Sequence, residues 1–64
     1  MKNQVRRLRE ARGWSQGELG ERVGVTRQTV YFIETGRFDP SLPLAMRLAR
    51  VFGHKVEEVF ELEE

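Results

Sequence analysis

The sequence has no cysteine and one histidine, His54. The first absence excludes a disulfide framework. Together the two exclude a zinc site of ordinary ligand spacing. No apolar run is long enough to span a bilayer and no signal-peptide pattern occurs, so a cytoplasmic protein without a membrane partner is expected. Repeats, low-complexity tracts and linkers are also lacking. So are a Ser/His/Asp set, a phosphate-cradling glycine loop and a metal cluster. Thr26 and Ser41 read as helix caps rather than nucleophiles, and the carboxylates of the tail as a solvated end. The expectation is a protein that is not an enzyme and carries no cofactor.

What is present is 64 residues, enough for one domain, 1–64, with a modest core. Domains this small usually add disulfides, a metal or a partner subunit. With the first two excluded, well-formed helices and self-association are left. Net charge is only +1, but it is unevenly placed. Residues 1–37 hold eight Lys/Arg against four Glu, and residues 38–64 hold three Lys/Arg against six Asp/Glu. A basic half suits a polyanion, and an acidic tail suits solvent or a partner.

Punctuation at "RGW", "GVT", "TGRFDPS" and "FGHK" separates four helix-length segments and a short fifth. In "NQVRRLREAR", Val5, Leu8 and Ala11 or Arg12 share a face, and Gly13 ends the helix. In "SQGELGERVG", Ser15 and Glu18 form a capping box, Glu18 and Arg22 an i,i+4 pair, and Trp14 a staple toward Leu19. Thr26 caps the third segment, Val25 staples onto Val30, and Gly36 closes it. Ser41 caps the fourth, which tolerates Pro43 in its first turn and carries the stripe Leu42, Ala45, Leu48, Ala49 and Phe52. The fifth, roughly 55–60, offers Val56, Val59 and Phe60. The alternation in "FELEE" reads as a short strand, with Met1–Asn3 as its partner.

The third segment, "VTRQTVYFIETGR", has more outward groups than a plain surface helix needs. On a wheel of about 100° per residue, Val30 and Ile33 point together and Gln28 lies nearly opposite. Tyr31, Phe32 and Thr35 lie near Gln28, with Arg27 and Thr29 on the flanks. Arg can engage guanine, and Gln adenine, through two hydrogen bonds each. An aromatic edge can meet the thymine methyl. Two helices joined by a tight turn at Gly24, the second presenting such a face, match the geometry of a helix-turn-helix over about 15–36. A solvated face explains Arg27 and Gln28 equally well. It does not explain two adjacent outward aromatics, which call for DNA, a protein partner, or Phe32 folding back on Phe38.

From Leu8 to Gly53 the chain resembles the phage repressor/Cro-type (XRE-like) helix-turn-helix family. The resemblance rests on "LRxxRGWSQxEL", "GVTRQTV", "IETG" and "PSLxLAxRLA". It implies an all-α, five-helix lambda-repressor-like fold, to which the strand pattern adds a short terminal β-ribbon. It implies base reading by Arg27, Gln28 and Phe32. Thr26, Thr29 and Tyr31 match positions that touch phosphate or base. Gln16 matches a phosphate-binding residue that braces the recognition helix, and Arg37 matches a loop that grips the DNA backbone. Arg9 and Glu34 match a structural ion pair. The chain departs from the family at Gly20, where Ala is usual and where glycine lets helices approach closely. It departs again at Phe32, often polar in the family, and at His54 and Lys55, where a cap and proline usually open the last helix.

The expectation is a homodimeric repressor that places helix 26–35 in the major groove of a palindromic operator in double-stranded DNA. Segment 54–64 would supply the dimer contacts through Val56, Val59, Phe60 and Leu62. No small-molecule effector site is evident. The alternative is an antitoxin-like module of the same fold, holding a protein partner through its acidic tail or its Tyr31/Phe32 patch.

Overall fold

The computed structural model describes residues 1–63 as five helices closed by a two-stranded ribbon. In chain order the elements are β1 (Lys2–Asn3), α1 (Val5–Ala11), α2 (Gln16–Val23), α3 (Arg27–Glu34), α4 (Leu42–Phe52), α5 (Val56–Val59) and β2 (Phe60–Glu61). The strands are antiparallel, Lys2 opposite Glu61 and Asn3 opposite Phe60, and Gln4 N–H extends the ladder to Val59 O at 2.8 Å. The ribbon expected from the alternation in "FELEE" is therefore present. No helix among the described residues is long and apolar enough to cross a membrane.

Local chemistry sets the helix starts. At α2, Glu18 N–H donates to Ser15 Oγ at 3.0 Å, and Ser15 N–H donates to Glu18 Oε1 at 2.9 Å. Thr26 caps α3 by accepting from Thr29 N–H, and Ser41 caps α4 by accepting from Leu44 N–H. At α5 a lysine occupies the cap position, so the side chain of Glu58 makes the bond instead, accepting from Lys55 N–H at 2.7 Å. Each bond satisfies a backbone donor that a helix start leaves free.

The α2–α3 turn is unusually close. Gly24 takes φ 80°, a left-handed conformation that glycine adopts without strain. Gly24 N–H and Val25 N–H both donate to Gly20 O, at 2.8 and 2.9 Å. A Cβ on Gly20 would stand 2.5 Å from Val25 O, a backbone atom. The departure from alanine noted in the sequence is thus what lets the turn close at this distance.

The core gathers Val5, Leu19, Val23, Val30, Ile33, Leu48, Phe52 and Val59, drawn from all five helices. Trp14, before α2, stacks on Phe52 of α4, with centroids 6.0 Å apart. The Arg22 guanidinium lies 4.2 Å from the Trp14 ring centre. Glu18 forms its capping bonds with Ser15, and Arg22, while covering the Trp14 ring, still favours the Glu18 carboxylate by its charge. Arg12 follows α1 as its cap residue, and its guanidinium donates to Phe52 O at 3.0 Å. Arg47 Nε donates to Val23 O at 3.1 Å. Both arginines close the C-terminal end of a neighbouring helix, where the helix dipole favours positive charge.

One expectation needs correction here. Val59 is 0% exposed and Phe60 7%, both packed in the chain's own core. Both complete the small core beneath the ribbon; Val59 has no exposed surface, whereas Phe60 still lines a groove beside Leu42, Val56 and Leu62. Val56 is half-buried and Leu62 is 76% exposed.

Candidate nucleic-acid interface

Helix α3 is oriented by three attachments. Val30 and Ile33 are 1% exposed and hold its inner face in the core. Its C-terminal end is held through Glu34, whose side chain is 3% exposed. Arg9 of α1 donates Nε to Glu34 Oε2 at 2.6 Å and Nη2 to Oε1 at 3.2 Å. Gln16, at the start of α2, donates Nε2 to the same Oε1 at 3.0 Å. One carboxylate thus joins three helices. Its charge is neutralised by the guanidinium, and its hydrogen bond to Arg9 raises the Arg9 pKa further above the ordinary range. Arg9 Nη1 also donates to Trp14 O at 2.8 Å, which fixes the α1–α2 corner.

The third attachment comes from the ribbon. Asn3 Nδ2 donates to Ile33 O at 2.9 Å, and Asn3 Oδ1 accepts from Val5 N–H at 3.1 Å. One side chain thus caps the start of α1 and satisfies a carbonyl near the end of α3. Sequence reasoning placed Asn3 at the start of the first helical segment and in the ribbon, with no role for its side chain. An Asx residue just before a helix was the available signal. Its partner 30 residues away left none.

With α3 held in this way, Arg27, Gln28 and Tyr31 are exposed, while Thr29 and Phe32 are half-buried. None of the ion pairs among the described residues uses Arg27 or Arg37. Arg27, Gln28 and Tyr31 line one depression of about 530 Å³ together with Thr26 and Gln16. The N-terminal end of α3 therefore opens beside the start of α2. Gln16 keeps an amide hydrogen beyond the one it gives to Glu34. A second depression, about 450 Å³, is lined by Thr29, Phe32, Arg37 and Phe38.

The two outward aromatics of the wheel separate in the structure. Tyr31 is 43% exposed, and Phe32 is tucked between Tyr31 and the segment after α3. Their rings stand 5.6 Å apart, inclined at 54°. Arg37 N–H and Phe38 N–H both donate to Phe32 O, at 2.9 and 3.2 Å, which turns the chain back along the helix.

The face combines a rigid helix, free hydrogen-bonding groups at its N-terminal end and unpaired cations at both ends. Among the described residues no group of three or more acidic or histidine side chains is placed to hold a metal. The arrangement suits contact with a polyanion.

Comparison with known proteins agrees. The family model described as helix-turn-helix matches residues 5–59. An uncharacterized HTH-type transcriptional regulator of Bacillus subtilis is 56% identical over 64 residues, covering all of this chain and 97% of that relative. A regulator of the same description from Methanothermobacter thermautotrophicus is 49% identical over 65 residues, covering all of this chain and 94% of its own length. One from Methanocaldococcus jannaschii is 42% identical over 64 residues, with 97% of its length covered. Five helices, the close α2–α3 turn and this match over nearly the whole chain lead to one conclusion: the protein belongs to the XRE-type helix-turn-helix family of DNA-binding transcriptional regulators, which are not enzymes.

Proposed function

We propose that this regulator is a cytoplasmic repressor that binds a palindromic operator as a homodimer, with α3 of each protomer in a major groove. The observation that carries the reading is the free, exposed Arg27–Gln28 pair at the N-terminal end of a helix locked by Glu34. Arg27 and Gln28 read base edges, with Tyr31 beside them and Phe32 behind. Gln16, Thr26, Thr29 and Arg37 hold the phosphate backbone on either side. The sugar–phosphate contacts orient the helix, and the base contacts select the site.

Self-association is supported by an apolar groove of about 800 Å³ lined by Leu42, Val56, Phe60 and Leu62, with Glu57 and Glu61 on its rim. Leu42 is 67% exposed, a large apolar area for a protein this small. A neighbouring depression around Met46 carries Arg50 and Lys55, with Glu57 shared between the two. A two-fold contact sets the acidic rim of one protomer against Arg50 and Lys55 of the other. Val56, Leu62 and Leu42 supply the contact, with Val59 and Phe60 supporting it from beneath. The molecule measures 31 × 23 × 20 Å, so two copies side by side can present α3 about 34 Å apart, one turn of B-DNA.

Selection of bound duplexes from a random pool, followed by sizing of the complex, tests both parts. The expected result is a palindromic consensus carrying two chains. A non-palindromic consensus bound by one chain rules out the dimer. Enrichment of no sequence rules out the operator.

A further inference from the structure

We propose that the pocket between α3 and the segment after it is a reader of the pyrimidine C5-methyl group. It takes the methyl edge of one thymine per half-site between Phe32 and Phe38. The inference rests on the reading of α3 as the groove-entering helix and names what the second depression on its face recognises.

The pocket's walls are mostly apolar, and the Thr29 hydroxyl is engaged with Thr26 Oγ1 at 3.2 Å. They are the half-buried Phe32 and the side chains of Thr29 and Phe38, and the cavity of about 450 Å³ admits the C5–C6 edge of a pyrimidine. Phe38 is 46% exposed, although it is a large aromatic that the monomer's core leaves uncovered. It is nonetheless held in place. The bonds from Arg37 N–H and Phe38 N–H to Phe32 O fix the backbone of one wall to that of the other. Thr35 Oγ1 shares its hydrogen between Tyr31 O at 3.1 Å and Phe32 O at 3.3 Å, and Tyr31 flanks the Phe32 ring at 5.6 Å.

Arg37 stands at the pocket's rim, exposed and outside every ion pair among the described residues. A ligand that satisfies the site therefore carries an apolar group close to an anion. In the major groove of DNA the C5-methyl of thymine is the apolar group that base pairs present, and its own backbone supplies the phosphate. A plain hydrogen-bonding base edge would bury its polar atoms against two phenyl rings without partners, at a cost.

The test uses the full chain and the operator it selects. Each thymine is replaced in turn by deoxyuridine, which removes the methyl and changes nothing else. The expected result is a loss of about four- to tenfold in affinity at one symmetric pair of positions, with small effects elsewhere. In Phe32→Ala and Phe38→Ala, with folding checked by circular dichroism, that thymine/deoxyuridine difference disappears while the salt dependence set by Arg37 is kept. Phe32→Leu, which keeps an apolar wall if alanine unfolds the chain, should retain part of the difference. Two outcomes overturn the pocket while leaving operator binding standing. One is methyl dependence at no position. The other is methyl dependence that survives unchanged in the folded Phe32 and Phe38 variants. Absence of any selected operator overturns the pocket together with the reading of α3 beneath it.

Discussion

Arg9 and Glu34, 25 residues apart in sequence, meet through two hydrogen bonds of 2.6 and 3.2 Å at a carboxylate that is 3% exposed. The pair joins the first helix, α1, to the end of α3. Its energetic weight lies in what happens when it is half removed. Arg9→Met strands a buried carboxylate with only Gln16 as a partner. Breaking one side of a buried pair costs about 3–5 kcal/mol, close to the whole stability of a domain this small. Urea unfolding should show Arg9→Met and Glu34→Leu each severely destabilised. The double variant should recover most of the loss, because two apolar side chains leave no charge buried. Equal destabilisation in all three would contradict this account.

Gly20→Ala tests the close turn. Alanine favours the helix by about 1 kcal/mol over glycine. Its methyl would, however, meet Val25 O at 2.5 Å, and forcing backbone apart in a packed site costs about 1–3 kcal/mol. The expected balance is a net loss of about 1 kcal/mol in chemical denaturation, with weaker operator binding because α3 is displaced relative to α2. A stabilised variant with unchanged affinity would mean that the turn relaxes without cost.

Acid should loosen two helix starts. Glu18 accepts from Ser15 N–H and Glu58 from Lys55 N–H, and these bonds hold both carboxyls below their ordinary value of 4.5. A lowered folded-state value favours the fold above that pH, and the contribution is lost as pH falls through the folded values. Melting midpoints should hold down to about pH 5 and then decline. Glu18→Gln keeps an acceptor for Ser15 N–H without a titrating group, so its acid decline should be shallower. An unaltered profile would assign the decline to other carboxylates.

Base readers and backbone holders should separate in binding measurements. Arg27→Ala and Gln28→Ala are each expected to cost about 1–3 kcal/mol and to relax preference at one half-site position. Arg37→Ala should weaken binding to all sequences alike and lower the salt slope by about 1. Operator preference that is unchanged in Arg27→Ala and Gln28→Ala would move base reading away from the N-terminal end of α3.

Much of this was legible in the chain because it is local. Ser15, Thr26 and Ser41 announce helix starts by bonding backbone groups three residues on. Gly13, Gly24, Gly36 and Gly53 mark helix ends because each takes the left-handed conformation found there. Trp14 reads as a staple toward Leu19 from its place before the Ser15 cap, but its stacking on Phe52 and its cover by Arg22 depend on helices that approach only after folding. Arg12, which its spacing sets beside Val5 and Leu8, and Arg47 become helix caps in the structure, each across more than twenty residues.

The sequence alone determined where helices begin and end, which faces are apolar and that Arg27 and Gln28 point outward, since short-range hydrogen bonds and a period of 3.6 decide those matters. It could not tell a face covered by the chain itself from one left for a partner. Val56, Val59, Phe60 and Leu62 carry the same apolar signal. Only tertiary packing buried Val59 and Phe60, left Leu62 bare, and turned Phe32 from an outward residue into one wall of a pocket. Burial depends on which elements meet in space, and that is settled by the closing of the whole chain.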